Sequence, residues 1–245
     1  MTTSAAVKTP NQRKRILIVD DHPLMREGLA QWINREADLQ VCGEAGTSRE
    51  ALEAIGRLKP DLVMLDVSLA QGSGLDLLKD IRAMHPKLSV LMLSMHDESL
   101  YAERALRAGA RGYLMKNQSC AEIVKAVRDV LGGGLSFSPQ MSRRFLEVAA
   151  GRRSTEAATP LKRLSDRELE VFQMVGLGRS SKEIADELHV SIKTIEAARA
   201  KIREKLGVHS AAEMVRYAVI CVEGNQLPAA PKPVARRRPG SRRAR

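Results

Sequence analysis

Four short aliphatic runs in the first half of the chain each end in a polar residue. They are residues 15–19 before Asp20 and Asp21, 62–65 before Asp66, 89–93 before Ser94, and 112–115 before Lys116. Runs of this length, separated by helical stretches, are typical of buried parallel strands in an α/β domain. Ligands of such sheets bind beyond the carboxyl ends of the strands. We therefore expect three carboxylates, one hydroxyl and one ammonium group to meet at one edge of the sheet.

The chemistry of this expected cluster favours a hard cation and a phosphoryl group over a general acid–base pair. Close carboxylates repel one another unless a cation binds them, and oxygen ligands with retained water suit Mg2+. The arrangement is typical of an aspartate that accepts a phosphoryl group. Each residue taken alone has an ordinary alternative, as a helix cap or a solvated loop residue. Their joint occurrence in this chain order favours the functional interpretation.

Strands and helices alternate five times in the first half, which predicts a doubly wound domain with a five-stranded parallel sheet. The predicted strands are 15–20, 39–45, 62–66, 91–94 and 112–115, and the predicted helices are 23–36, 48–57, 74–84, 98–108 and 121–131. We assign this domain to residues 14–134, because three glycines at 132–134 end the last helix. Residues 135–159 are predicted to be a linker with one candidate helix at 140–150.

A compact all-helical domain of four helices is predicted for residues 160–224. Capping boxes of the form Ser/Thr-x-x-Glu begin at Ser165, Ser180 and Ser210, and in the first domain at Thr47 and Ser119. Ser191 is placed to cap a further helix, 192–206, which Gly207 ends. The pair 181–188 and 192–206, joined by a tight turn, has the dimensions of a helix-turn-helix.

The positive charge of the chain is concentrated at its end. The net charge is +11, and residues 225–245 contribute seven basic and no acidic side chains. This segment is rich in Pro, Ala and Arg, so it is predicted to be disordered. Basic tails of this kind commonly touch nucleic acid, with a merely solubilising tail as the alternative.

Several function classes are disfavoured by what the sequence omits. No apolar stretch approaches the roughly 20 residues that span a bilayer, and residues 1–11 do not resemble a secretory signal. The three cysteines are widely scattered, which fits reduced thiols and no metal site. The five histidines form no ligand motif. We expect a cytoplasmic protein with no membrane partner.

The motifs of both halves resemble those of bacterial two-component response regulators of the NarL/FixJ subfamily. In the first half they are Val19-Asp-Asp-His-Pro-Leu-Met-Arg-Glu-Gly28, Asp66, Leu93-Ser-Met-His96 and Gly112-Tyr-Leu-Met-Lys116. In the second half they are Leu164-Ser-Asp-Arg-Glu-Leu-Glu-Val171, Ser181-Lys-Glu-Ile-Ala185, Ser191-Ile-Lys-Thr-Ile-Glu196 and Lys205-Leu-Gly207. The resemblance implies an α/β receiver domain followed by an all-α, four-helix LuxR-type helix-turn-helix domain.

The resemblance also implies a role for each candidate site residue. Asp66 would accept a phosphoryl group from a sensor histidine kinase. Mg2+ would be held by Asp20, Asp21, Asp66 and the carbonyl group of Ser68, with Asp21 as the direct ligand and Asp20 acting partly through water. Ser94 and Lys116 would bind phosphoryl oxygens, and Tyr113 would be the switch aromatic. A half-buried core aromatic is the alternative for Tyr113.

In the second half the resemblance implies that helix 192–206 enters the major groove of double-stranded promoter DNA. Lys193 and Thr194 would reach phosphates, Glu196, Ala197, Arg199 and Ala200 would meet base edges, and Lys201 and Arg203 would add positive charge. The helix at 210–222 would form a homodimer on phosphorylation or DNA binding, with internal packing as the alternative.

The sequence therefore favours a phosphorylation-dependent transcription regulator and not an enzyme. The main rival is a phosphohydrolase with an aspartyl-phosphate intermediate. Haloacid-dehalogenase-like enzymes place a second Asp two residues after the nucleophile, whereas Ser68 occupies that position here. A second rival is a sigma-factor-like module that binds RNA polymerase, which is also a candidate partner of a regulator.

Overall fold

A computed structural model of the chain describes residues 13–69, 72–95, 98–150 and 160–223. The chain divides into two compact units, with the main division after Thr155, and the two are described separately. No helix in these described ranges is long and apolar enough to cross a membrane. The predicted disordered tail at 225–245 and the end of the predicted linker, 151–159, lie outside the described residues.

The first unit contains a five-stranded parallel sheet with strand order β2-β1-β3-β6-β7. In chain order the strands are β1 (Lys14–Val19), β2 (Leu39–Ala45), β3 (Leu62–Asp66), β4 (Ser68–Leu69), β5 (Gly72–Ser73), β6 (Ser89–Ser94) and β7 (Gly112–Met115). β4 and β5 pair in a short antiparallel hairpin that the sequence pattern did not predict. The predicted doubly wound fold is confirmed, because the chain runs from β1 to one edge of the sheet and then to the other.

Helices connect the strands and cover both faces of the sheet. They are α1 (Pro23–Arg35), α2 (Ser48–Leu58), α3 (Gly74–Met84), α4 (Glu98–Ala108) and α5 (Cys120–Leu131). α1 and α5 form one apolar cluster with Ile16 and Ile18 of β1. Leu17 and Val19 alternate with these residues and point to the other face, where α2, α3 and α4 pack. Burial on both faces explains why the strands are continuous aliphatic runs.

The predicted capping boxes occur in two forms. Those at Ser119, Ser165 and Ser180 are reciprocal, since the glutamate three residues on accepts the N–H of the capping serine. At Thr47 the hydroxyl accepts the Glu50 N–H as predicted, but Glu50 reaches back to the N–H of Gly46. Ser210 shows the same displacement, because Glu213 accepts the N–H of His209. Both forms satisfy two donors at the helix start.

Ser136 lies along the β7 edge of the sheet, and the helix that follows it packs on α4. Ser136 forms a parallel bridge with Gly112 of β7. The Tyr113 N–H donates to the Ser136 carbonyl, and the Ser136 N–H donates to the Arg111 carbonyl, both at 2.9 Å. Helix α6 (Pro139–Ala149) packs on α4. It is the predicted linker helix, and it begins and ends one residue earlier than expected. Glycine is required at 112, because a Cβ there would lie 2.6 Å from the Ser136 carbonyl oxygen.

The second unit is all-helical, as predicted. A short 3-10 turn (Pro160–Arg163) precedes α7 (Asp166–Gly176), α8 (Ser181–Glu187), α9 (Ile192–Leu206) and α10 (Ala211–Glu223). α7 packs on both α9 and α10. Phe172 of α7 meets Tyr217 of α10 edge to face, with ring centroids 5.8 Å apart. Gly176 permits this close approach, because a Cβ there would lie 2.6 Å from the Ala218 carbonyl oxygen.

Capping residues fix the two ends of α9, and a row of buried side chains fixes its orientation. The Ser191 hydroxyl accepts the Thr194 N–H at 3.1 Å, which caps the start of the helix. Gly207 ends it in a left-handed conformation with φ of 69°. Ile195, Ile202 and Leu206 are buried at helical spacing and fix which face of α9 turns toward solvent.

An ion pair joins α7 to α9. Lys205 Nζ donates to Glu168 Oε2 at 2.6 Å, and the same carboxylate accepts the Ser165 N–H at 2.7 Å. Burial alone would raise the pKa of Glu168, but the hydrogen bonds from Lys205 and Ser165 outweigh it and hold this pKa below the ordinary value. A lowered carboxyl pKa stabilises the fold at higher pH, and the contribution is lost as the pH falls through the folded-state pKa.

We expect Glu168→Gln to lower the free energy of unfolding by about 1 kcal/mol at neutral pH, because glutamine keeps the cap but not the charge. The deficit should shrink as the pH falls below 4.5, the ordinary value for a glutamate. Urea unfolding at a series of pH values measures this, with Glu204→Gln on the exposed side of α9 as the control. A deficit of constant size from neutral to acidic pH would show that the ion pair is not its source.

Candidate functional site

Three strands of the sheet bring two aspartates and a lysine together. Asp20 follows β1, Asp66 ends β3, and Lys116 follows β7, all at the carboxyl edge of the sheet. Lys116 Nζ lies 2.6 Å from Asp66 Oδ2 and 2.7 Å from Asp20 Oδ2. The three side chains are at most 5% exposed. The sequence-predicted convergence of these residues is therefore observed at ion-pair distance.

Asp21 and His22 extend the cluster toward solvent. Ligand atoms of Asp20, Asp21, His22 and Asp66 all lie within 4.8 Å of one another. His22 Nδ1 is 2.7 Å from Asp21 Oδ1, while the backbone N–H of His22 donates to Asp20 Oδ1 at 2.9 Å. The structure thus places His22 beside the carboxylates, where the sequence pattern indicated no histidine ligand.

The remaining predicted site residues lie around this cluster. Ser94 is the fully buried last residue of β6, and its carbonyl accepts the Lys116 N–H at 2.7 Å. The Ser68 N–H donates to Asp66 Oδ1 at 3.2 Å. Tyr113 is 1% exposed and pairs in register with Met92 on the neighbouring strand. The roles of these three side chains in phosphoryl chemistry remain predictions.

Burial and charge act in opposite directions on the central pair. Burial, with the repulsion of Asp20, raises the pKa of Asp66 to about 7, although Lys116 opposes the rise. Burial alone would lower the pKa of Lys116, but Asp66 and Asp20 outweigh it and raise this pKa. Lys116 therefore stays protonated between the two carboxylates. One ammonium group cannot neutralise Asp20, Asp21 and Asp66 together, which leaves a net negative site.

The donor set of this negative site fits Mg2+. Asp21 Oδ1 is buried and accepts no hydrogen bond within the described part of the chain, although His22 lies at ion-pair distance. A buried oxygen of this kind is suited to a cation. Asp20, Asp21 and Asp66 offer carboxylate oxygens within 4.8 Å of one another, and Lys116 pairs with Asp20 and Asp66.

Two further residues hold the site in place and were missed by the sequence analysis. Arg26 of α1 donates through Nη1 to the Asp20 carbonyl at 2.6 Å, and its Nε lies 3.4 Å from Glu44 Oε2. Gly74 begins α3, and its N–H donates to the Val67 carbonyl at 2.7 Å. Both depend on tertiary contacts that no local pattern reports.

In the second unit the predicted DNA-facing residues lie on the solvent-accessible surface of α9. Lys193, Thr194, Glu196, Ala197, Ala200 and Lys201 are exposed, and Arg199 and Arg203 are half-buried. Residues 193–205 carry five basic and two acidic side chains. The face opposite the buried stripe is thus accessible and positively charged overall.

The doubly wound sheet with this carboxylate–lysine site, followed by a helix-turn-helix unit, defines a response regulator. Residues 16–128 match the response regulator receiver domain. Residues 162–218 match the luxR family of bacterial regulatory proteins. The transcriptional regulatory protein MctR of Rhizobium johnstonii is 34% identical over 211 residues, covering 86% of this chain and 95% of MctR.

Solved structures agree with these matches. RcsB of Salmonella enterica serovar Typhimurium, bound to promoter DNA with the phosphomimetic BeF3-, aligns with 26% identity and a TM-score of 0.57. That alignment covers 84% of this chain and 98% of the RcsB chain. A structure of two RcsB dimers on two parallel DNAs aligns with 26% identity and a TM-score of 0.51, covering 85% and 98%.

The chain belongs to the two-component response regulators with a LuxR-type DNA-binding domain. Its class is thus a transcription regulator that combines a receiver domain with a helix-turn-helix.

We expect Gly74→Ala to disturb the site, because an ideal Cβ at 74 would lie 1.9 Å from the carbonyl oxygen of Asp66. The start of α3 must then shift, at a cost of about 2 kcal/mol in the free energy of unfolding. Urea unfolding measures the loss of stability. The rate of labelling by acetyl phosphate, which should fall, measures the disturbance of the site.

Gly56→Ala is the matched control for this change, since a Cβ at 56 meets nothing within 4 Å. Within α2 it should raise stability by about 0.5 kcal/mol or more and leave labelling unchanged. Equal stability and labelling rates for Gly74→Ala and the wild type would show that Gly74 does not hold the Asp66 backbone.

Proposed function

We propose that Asp66 accepts a phosphoryl group from a sensor histidine kinase and that the phosphorylated protein regulates transcription as a dimer on promoter DNA. The observation that carries this proposal is the buried cluster in which Lys116 Nζ lies 2.6 Å from Asp66 Oδ2. We also propose a cytoplasmic location, because the protein must reach both the kinase domain and DNA.

In the proposed reaction, a carboxylate oxygen of Asp66 forms a bond to phosphorus as the bond from phosphorus to the kinase histidine breaks. Lys116 is placed to pair with a phosphoryl oxygen, and the Ser94 hydroxyl is proposed to donate to another. Asp20, Asp21, Asp66 and the Ser68 carbonyl would hold Mg2+, which neutralises charge on the transferring group. The remaining work of the chain is to position the carboxylate and limit access of water.

Two features support a regulator over the rival phosphohydrolase. Ser68 provides no second carboxylate two residues after Asp66, where a general acid would be needed. The second unit is instead a helix-turn-helix whose α9 carries a net positive charge on its accessible face. The relatives with known DNA complexes include RcsB.

We propose that the signal leaves the site through β7. Tyr113 lies on that strand, three residues before Lys116, and its backbone N–H is bonded to Ser136. The next contact runs from Ser138, whose N–H donates to Glu98 Oε1 of α4 at 2.9 Å. A change at Ser94 and Tyr113 would therefore reach residues 135–149, which precede the second unit in the chain.

The added phosphoryl charge, about −1.5 to −2, needs a two-state element to act at a distance. We propose that β7, α4 and residues 135–149 are that element, with the resting arrangement opposing dimerisation. RcsB, which has been solved as dimers on DNA, supports dimerisation as the active form. α10 is the proposed dimer helix.

We expect acetyl phosphate to label the wild-type protein only when Mg2+ is present, and Asp66→Asn to remove the label. Intact-protein mass spectrometry, with and without EDTA, measures the stoichiometry. Asp76→Asn, which changes an exposed aspartate on α3, should label like the wild type. Full labelling of the Asp66→Asn protein would exclude Asp66 as the acceptor.

We expect Glu98→Ala to raise the DNA affinity of the unphosphorylated protein about fivefold, because it removes a hydrogen bond of about 1 kcal/mol that holds the resting arrangement. Glu98→Gln keeps an oxygen acceptor and should behave like the wild type. Fluorescence anisotropy with a DNA site selected from a random library measures the affinity.

Labelling at Asp66 should be the same in both Glu98 variants and the wild type, which separates transmission from phosphorylation. An unchanged basal affinity in Glu98→Ala, with normal labelling, would show that the bond between Ser138 and α4 does not restrain the resting protein.

A further inference from the structure

Ser181, the first residue of α8, connects two side chains of α9. Arg199 Nη1 donates to Ser181 Oγ at 2.8 Å. The Ser181 hydroxyl in turn donates to Glu196 Oε1. Glu196 and Arg199 are three residues apart, so they are neighbours on one face of the helix. One hydroxyl therefore uses both its donor and its acceptor capacity to hold an anion and a cation side by side.

This arrangement is unusual for side chains in such an accessible position. Glu196 is exposed and Arg199 is half-buried. Long side chains at the surface normally lose conformational freedom only when a partner fixes them. These hydrogen bonds use one carboxylate oxygen and one guanidinium nitrogen. Within the described residues, the second carboxylate oxygen and further guanidinium N–H groups remain available to a ligand.

We propose that Ser181 is a specificity-positioning residue, which sets Glu196 and Arg199 to read a cytosine and a guanine next to each other in the operator. Arg pairs with the O6 and N7 acceptors of guanine, and a carboxylate accepts from the N4 amino group of cytosine. The inference rests on the proposed function, in which α9 enters the major groove.

A positioning effect is expected because an unrestrained arginine side chain can adopt several orientations near DNA. A free guanidinium can turn to a phosphate, which gives affinity without sequence information. Held by Ser181, Arg199 keeps one orientation relative to Glu196. Loss of the hydroxyl should therefore lower base discrimination more than total DNA affinity.

If Ser181 only joined α8 to α9, its loss would lower stability and leave base preference unchanged. The adjacent Ser180 provides a control for such a loss of stability. Its hydroxyl accepts the Glu183 N–H at 3.2 Å, and its own N–H donates to Glu183 Oε2 at 2.8 Å. Ser180→Ala should weaken the start of the same helix, but in the described part of the chain Ser180 makes no hydrogen bond to Glu196 or Arg199.

The test is selection from a randomised DNA library by the full-length protein in the presence of beryllofluoride. Wild type is compared with Ser181→Ala, Ser181→Thr, Ser180→Ala, Arg199→Ala and Lys193→Ala. Binding is then measured to the selected site and to single-base changes of it. For wild type we expect a guanine preference that Arg199→Ala abolishes. Ser181→Ala should reduce the preference for that guanine and its neighbouring cytosine on the order of tenfold.

Total affinity for non-specific DNA should change less than twofold in Ser181→Ala. Ser181→Thr retains a hydroxyl and should restore the preference. Ser180→Ala should keep the wild-type preference even where it lowers the thermal midpoint as much as Ser181→Ala does.

Three results would contradict the inference, and each can be distinguished from the others. If Ser181→Ala keeps the wild-type base preference while Arg199→Ala loses it, α9 reads DNA but Ser181 does not position the reading. If neither Arg199→Ala nor Lys193→Ala changes DNA binding, the proposed role of α9 itself fails. If Ser180→Ala and Ser181→Ala lower the thermal midpoint equally and both keep the wild-type base preference, Ser181 acts only in helix packing.

Discussion

The burial of two carboxylates beside a single ammonium group is the interaction on which the chemistry of the first unit depends. Asp20 and Asp66 are removed from water at adjacent strand ends, and Lys116 lies within 2.7 Å of both. Removing charges from water costs several kcal/mol per ion, which close opposite charge must offset. Lys116 offsets only part of the negative charge once Asp21 is counted. The fold thus maintains a site that is stabilised by a cation and altered by any change in the charge of Asp66.

The same lysine links this charge balance to the edge of the sheet. Its backbone N–H is bonded to the Ser94 carbonyl, and its side chain reaches both aspartates. β7, which precedes it, is bonded on its outer edge to Ser136 rather than left open. Because packed elements move between discrete arrangements and do not deform continuously, a rearrangement of β7 must also rearrange what is bonded to its edge. This supports the proposed route from Asp66 to residues 135–149.

Local sequence patterns were sufficient to predict the five strands of the sheet, the helices that connect them, and the cluster of Asp20, Asp66 and Lys116. Aliphatic runs determine buried strands, and the rule that parallel strands share one carboxyl edge brings their final residues together. The β4–β5 hairpin, the pairing of Ser136 with β7 and the contact from Arg26 to Asp20 depend on distant residues. No periodicity reports such contacts. For the same reason, the capping sequences located the helix starts but not the donor that each glutamate finds.

The contacts between α8 and α9 support the proposal that a shared helix-turn-helix scaffold acquires its own base preference. The buried stripe of Ile195, Ile202 and Leu206 orients the helix, but it does not fix the conformations of exposed side chains. Those conformations need partners outside α9, and α8 is the element whose first residue supplies one. Two adjacent serines thus have different contacts. Ser180 caps α8, and Ser181 is hydrogen-bonded to Arg199 of α9. If α9 reads DNA as proposed, base preference would change through α8 without any change in the residues that face the groove.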